Sequence, residues 1–188
     1  MDIKQAVEKL RPRAGQQGRK AVSPPVVLAH PDPRLLQKSC EVTLPAEDDL
    51  QSLVDDLIAA MRAHKGVGLA AIQIGVPKRL FVYDDSEAGD DPRVLINPRI
   101  TQHSDDYLSE EEGCLSFPGL YRLVKRYRSV TVEGLDLQRN PVSVTAEDFL
   151  ARVFQHELDH LDGRVFITHL SEDDKKGALR EYFDLAHS

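Results

Sequence analysis

Within FQHELDH, residues 154–160, His156 and His160 stand four apart with Glu157 directly after the first. On a helix, residues four apart lie nearly one above the other, so two imidazoles at that spacing can aim nitrogens at one ion. Glu157, about 100 degrees further around the axis, can reach a water on that ion without being a ligand. The chemistry of such a set is metal-assisted hydrolysis; the competing reading is a pair of partly exposed histidines on a surface helix. A catalytic site needs three protein ligands and an open position. The extended metzincin pattern puts a third histidine six residues after the second, and that position here is Phe166. Cys114 is the better candidate. The stretch EEEGCLSFPG sets it at a strand end flanked by Gly113 and a turn-forming Pro118-Gly119, and a thiolate binds divalent iron or zinc strongly. A single cysteine also reads as a small buried hydrophobe, and Cys40, in LQKSCEV, keeps that reading.

A second unusual stretch is GVGLAAIQIG, residues 66–75. Its first two glycines allow close backbone approach, and Gln73 is a neutral polar group in an apolar run. A phosphate loop fits poorly, because the pattern lacks the terminal Gly-Lys-Ser/Thr and follows a helix. Taken alone, the stretch reads as a tight turn into a buried segment.

These residues need elements to hold them. Leu50, Leu53, Val54, Leu57, Ile58 and Met61 recur on one helical face, with Glu47, Asp48 and Asp49 near its positive end, which predicts a helix over 47–64 that stops before Gly66. From Arg79 to Val144 the runs RLFVYD, VLINPRI, RSVTVEG and PVSVTA predict short strands in a mixed or antiparallel sheet. Thr145 with Asp148 resembles a helix N-cap arrangement, Leu150, Val153, Phe154 and Leu161 form an apolar stripe, and Gly163 suits the residue past the end. The histidine pair therefore belongs to a helix over 146–162. A last helix over 172–186 would pack through Leu179, Tyr182 and Phe183.

Composition narrows the setting. A chain of 188 residues with 41% hydrophobic residues can form one well-cored domain, expected over 24–188. No apolar run reaches the length needed to cross a bilayer, and no apolar signal segment follows the N-terminus. Two cysteines are too few for a disulfide scaffold, so a reducing cytoplasm is expected. The net charge of -7 argues against broad nucleic-acid affinity, yet residues 1–20 carry six Lys/Arg against two acids. Residues 1–23 read as a basic flexible arm in preference to an organelle-targeting presequence.

Taken together, GVGLAAIQ, EGCLS and QHELDH resemble, in order and separation, the three signature motifs of the peptide deformylase family, with similarity from about Pro24 to Leu170. The resemblance implies an α+β fold in which antiparallel or mixed sheets surround a central metal-binding helix, with a helix in the N-terminal half and another at the C-terminus. It implies removal of the formyl group from the N-terminal methionine of newly made polypeptides. Cys114, His156 and His160 resemble the family's metal ligands, Glu157 its general acid/base and Gln73 its oxyanion-stabilising side chain, joined by the backbone N–H of Leu115. The implied cofactor is one divalent ion, ferrous iron in cells, with zinc, nickel or cobalt able to take the same ligands. Val67, Gly68, Gly113, Gly119 and Tyr121 would run along an extended substrate, and Phe149 and Val153 would line a methionine pocket. Glu112 and Arg126 match a supporting carboxylate–guanidinium contact whose competing reading is an ordinary surface pair. Two positions depart from several bacterial members: Tyr121 replaces an arginine, and Arg152 replaces an aliphatic pocket residue. Residues 171–188 carry five acids against three bases, which disfavours ribosome docking through that helix. The alternatives are a metallopeptidase acting on internal bonds and a catalytically idle peptide-binding relative.

Overall fold

The computed structural model describes residues 23–43, 50–86 and 89–186. The expected basic arm therefore lies outside the described residues except for Ser23, and so do Glu47, Asp48 and Asp49 at the start of the first predicted helix. That helix, α1, spans Leu50–Ala63 and buries Leu50, Val54, Leu57, Ala60 and Met61, while Leu53 and Ile58 of the predicted face are only partly buried against the same core.

Five strands form an antiparallel sheet in the order β1-β2-β3-β6-β7: β1 Gly68–Ala70, β2 Leu80–Tyr83, β3 Arg93–His103, β6 Ser129–Leu135 and β7 Pro141–Glu147. Both faces of this sheet are covered. Side chains alternate across a strand, so Leu80, Val82 and Ile96 join α1 in one core cluster while Phe81, Tyr83 and Leu95 pack on the other face with the helix Asp148–Leu161. That explains why β2, LFVY, is apolar and buried at every position instead of alternating.

The second sheet is a hairpin of β4, Tyr107–Cys114, and β5, Phe117–Tyr127. The chain reverses at Leu115-Ser116, between the paired residues Cys114 and Phe117. Pro118-Gly119 is thus not the turn that the sequence suggests. It belongs to an irregularity within β5, where the register jumps from Gly113↔Tyr121 to Cys114↔Phe117 and Gly119 takes φ +80. The hairpin packs through Phe117, Leu120 and Val124 against Phe166, Ile167 and the last helix.

The helix with the histidine pair, α2, spans Asp148–Leu161. Its predicted capping arrangement is absent: Thr145 and Glu147 are still in β7, paired with Thr131 and Ser129 of β6, and the Thr145 hydroxyl lies 3.0 Å from that of Thr131. Strand pairing outcompetes the cap, and the helix begins later. Gly163 closes it at φ +72, where a Cβ would stand 2.6 Å from the Leu36 carbonyl oxygen. Every residue from Ala151 to Leu161 is buried, polar ones included, so α2 is an interior helix and not a surface one. The last helix, α3, covers Glu172–Ala186; Tyr182 packs inward as expected and Leu179 sits against the same cluster, but Phe183 is 39% exposed and Ala178 fills the core position. No helix among the described residues is long and apolar enough to cross a membrane.

Phe154 is fully buried between Phe81 and Tyr83, with ring centroids 5.7 and 4.8 Å away. Phe154→Ala is expected to lower unfolding free energy by about 3–5 kcal/mol, measured by urea denaturation; a loss under about 1 kcal/mol would show that α2 is not anchored there.

Candidate active site

The tip of the β4–β5 hairpin places Cys114 beside α2. Its Sγ lies 3.2 Å from His160 Nε2 and accepts the Ser116 backbone N–H at 3.4 Å. The ligand atoms of Cys114, His156 and His160 all fall within 4.8 Å of one another. His156 Nδ1 is 2.6 Å from Glu112 Oε1, which leaves Nε2 for an ion. One soft sulfur and two imidazole nitrogens suit a divalent transition metal, and a carboxylate behind one imidazole is the usual way to orient such a ligand.

Electrostatics favour the same use. Burial alone would push the Cys114 thiol up, but the neighbouring His160 and His156 outweigh it and bring it down to about 5. Burial works against a charged His156 as well, yet the facing Cys114 and Glu112 raise it well above an ordinary histidine. The pair is a thiolate facing a protonated imidazole, so a cation that displaces that one proton finds both donors in place.

Glu157 sits in a different environment on the same helix. It is 4% exposed, its Oε2 has no hydrogen-bond partner, and burial pushes its carboxyl up to about 7. Strand β1 presses on it: a Cβ on Gly68 would stand 2.5 Å from Glu157 Oε1, so any side chain there would displace the carboxylate. Gln73 is fixed in turn. Its Oε1 accepts the Ala70 N–H at 2.9 Å, and its Nε2 donates to Ser116 Oγ at 3.2 Å and lies 3.8 Å from the Cys114 sulfur. The amide donor edge therefore points at the site.

Glu112 and Arg126 are no surface pair, being 5% and 4% exposed. Arg126 grips the carboxylate with Nε at 3.0 Å and Nη2 at 2.7 Å, and gives Nη1 to Asp159 at 2.6 Å. His169 closes on Asp159 at 2.6 Å. Arg152 adds a further bond to Glu112, at 2.9 Å. Burial would raise the Glu112 carboxyl, but His156 and Arg126 hold it far below the usual range; Asp159, with His169 and Arg126 against its own burial, falls to about 2.

A cavity of about 420 Å³ opens onto Cys114, His156 and Glu157, and Val67, Gly68, Gly113, Gly119, Tyr121, Phe149 and Val153 all line it, as does Leu115. Tyr121 and Phe149 are each 60% exposed at the mouth, whereas Val153 is buried. Gly113 lies under the Tyr121 ring, where a Cβ would meet Cε1 at 2.5 Å. Sequence reasoning missed Asp159, His169 and Ser116, and took Arg152 only as a departure; its signal was available in the four-residue spacing from His156.

The polypeptide deformylase family model matches residues 25–176. The chain is 44% identical over 156 residues to peptide deformylase 2 of Vibrio cholerae serotype O1, across 82% of this chain and 91% of that one. It is 42% identical over 163 residues to the peptide deformylase of Rhizobium meliloti, across 86% and 92%. Among solved structures, a peptide deformylase from Legionella pneumophila matches at TM-score 0.80 and 38% identity, over 86% of this chain and 95% of that chain. Peptide deformylase from Ehrlichia chaffeensis in complex with actinonin matches at 0.81 and 35%, over 89% and 100%.

Removing the charge of Glu112 would leave two buried guanidinium groups facing a neutral amide. Glu112→Gln is expected to cost about 3–5 kcal/mol of stability, the usual consequence of breaking a buried ion pair. Guanidinium denaturation of variant and wild type checks this, and equal midpoints would contradict the buried-joint account.

Proposed function

The chain belongs to the polypeptide deformylase family and removes the N-formyl group from nascent polypeptides, and from that premise we propose that Cys114, His156 and His160 hold its divalent ion while Glu157 moves the protons. The carrying observation is the convergence of those ligand atoms within 4.8 Å beside a buried carboxylate that has a free oxygen. A divalent ion held there supplies Lewis acidity and makes water a competent nucleophile near neutral pH. Ferrous iron is the proposed ion in cells; the same donors accept zinc, nickel or cobalt.

The other steps belong to the protein. Strand β1 is the edge of its sheet, and Val67 spends its carbonyl on the Asp84 N–H at 3.1 Å, which turns the groups of Gly68 to the open side. An N-formylmethionyl peptide pairs there as an added strand, flanked by Gly113, Gly119 and Tyr121, with its first side chain against Val153 and Phe149. Glu157 accepts a proton from the attacking water, oxygen adds to the formyl carbon, and the C–N bond breaks as Glu157 returns the proton to the departing nitrogen. The Gln73 Nε2 donor and the Leu115 backbone N–H stabilise the negative oxygen of the transition state. Formate and a free amino terminus leave. The acidic C-terminal helix α3 does not suit a phosphate-rich partner, and the cytoplasm is the proposed location.

Glu157→Gln is expected to retain the metal, by elemental analysis, while formate release from formyl-Met-Ala-Ser falls by about a hundredfold or more, the range that a general acid/base contributes. Wild-type turnover in this variant would remove Glu157 from the mechanism. The acetylated peptide should release nothing, and cleavage of internal bonds without formate would favour the peptidase alternative. Protonated Glu157 cannot act as base, so the rate falls on the acid side. A nearby cation favours the carboxylate over the value of about 7 set by burial, which puts that limb of the pH–rate profile below 7; a limb above 7 argues for a different base.

A further inference from the structure

Arg152 stands one helical turn before His156, which stands one turn before His160. On β4, Glu110, Glu112 and Cys114 share a face at two-residue spacing. Four residues of helix rise about 6.0 Å and two of strand about 6.7 Å, so the two rows run nearly in step. The contacts follow that register. Arg152 Nη1 bonds Glu112 Oε2 at 2.9 Å with Nε 3.7 Å from Glu110 Oε2, His156 Nδ1 meets Glu112 Oε1 at 2.6 Å, and His160 Nε2 meets Cys114 Sγ at 3.2 Å.

We propose that Arg152 is a positioning residue for the metal site: it locks the register of α2 against the β4–β5 hairpin, so that two imidazoles from the helix meet one sulfur from the strand. This rests on the reading of Cys114, His156 and His160 as ligands. Besides Glu112, the guanidinium bonds the carbonyls of Val124 on β5, at 2.9 Å, and Leu108 on β4, at 3.2 Å. It therefore takes acceptors from both hairpin strands while 4% exposed. Arg126 reaches the other way, from the hairpin to Asp159 on α2. Residues 152 and 159 bracket His156, and two attachments fix the tilt of a helix where one leaves it free to pivot. A lysine cannot replace the fork, because its donors radiate from a single nitrogen.

The test uses the full chain loaded with cobalt(II), read by the thiolate-to-cobalt charge-transfer band, the rate of cobalt release to a chelator, and kcat and KM on formyl-Met-Ala-Ser. Arg152→Met is expected to release cobalt about ten- to a hundredfold faster, the usual range for an outer-shell partner. The band should shift or weaken, and kcat should fall with KM changed less than about twofold. Arg152→Lys should fall between, and it decides by the same readouts if the methionine variant does not fold. A wild-type band and release rate with only KM raised would make Arg152 part of the substrate wall and overturn the proposal. A wild-type protein with no charge-transfer band would instead overturn Cys114 as a ligand, and the site reading with it.

Discussion

One buried carboxylate, Glu112, joins the two halves of this site. It accepts Nε and Nη2 of Arg126, a bond from Arg152 and the imidazole N–H of His156. Taking ions out of water costs several kcal/mol each, and that cost is offset only when the remaining lone pairs and protons are satisfied. Here they nearly are, since Arg126 also serves Asp159, which in turn bonds His169 and Arg164. An apolar replacement could pack as well, but it could not hold a histidine nitrogen in one orientation. The network therefore couples the fold to the chemistry.

The contrast with Glu157 follows from the same physics. Both carboxylates are buried within one small region, yet Glu112 is surrounded by cations and stays ionised, while Glu157 has an unpartnered oxygen and holds its proton more tightly. Environments that push two acids in opposite directions assign them different work. Gln73 adds a neutral donor that cannot titrate, tethered by its own turn through the Ala70 N–H.

Legibility in the sequence tracked how local the cause was. The histidine pair and the apolar stripe of α2 are visible because helical spacing is a local rule. The start of that helix is not, because pairing between β6 and β7 carries the chain past Thr145 in extended form. The β4–β5 hairpin is hidden for another reason: its inward group at position 112 is a glutamate, so YLSEEEGC shows no apolar alternation. Arg152 reads only as a departure from an aliphatic pocket residue until acceptors from two strands and a side chain converge on it. The motif resemblance supplied Glu112 and Arg126; their burial, and the ties to Asp159 and His169, needed coordinates.

The cavity is unequal in how much change it tolerates. Its inner wall is crowded: Gly68 abuts the Glu157 carboxylate and Gly113 lies under an aromatic ring. Its rim, at Tyr121 and Phe149, faces mostly water. Neutral drift among descendants of this chain would thus be confined to the outer lip, where new side chains can retune which polypeptides are welcomed while the reaction itself is inherited intact.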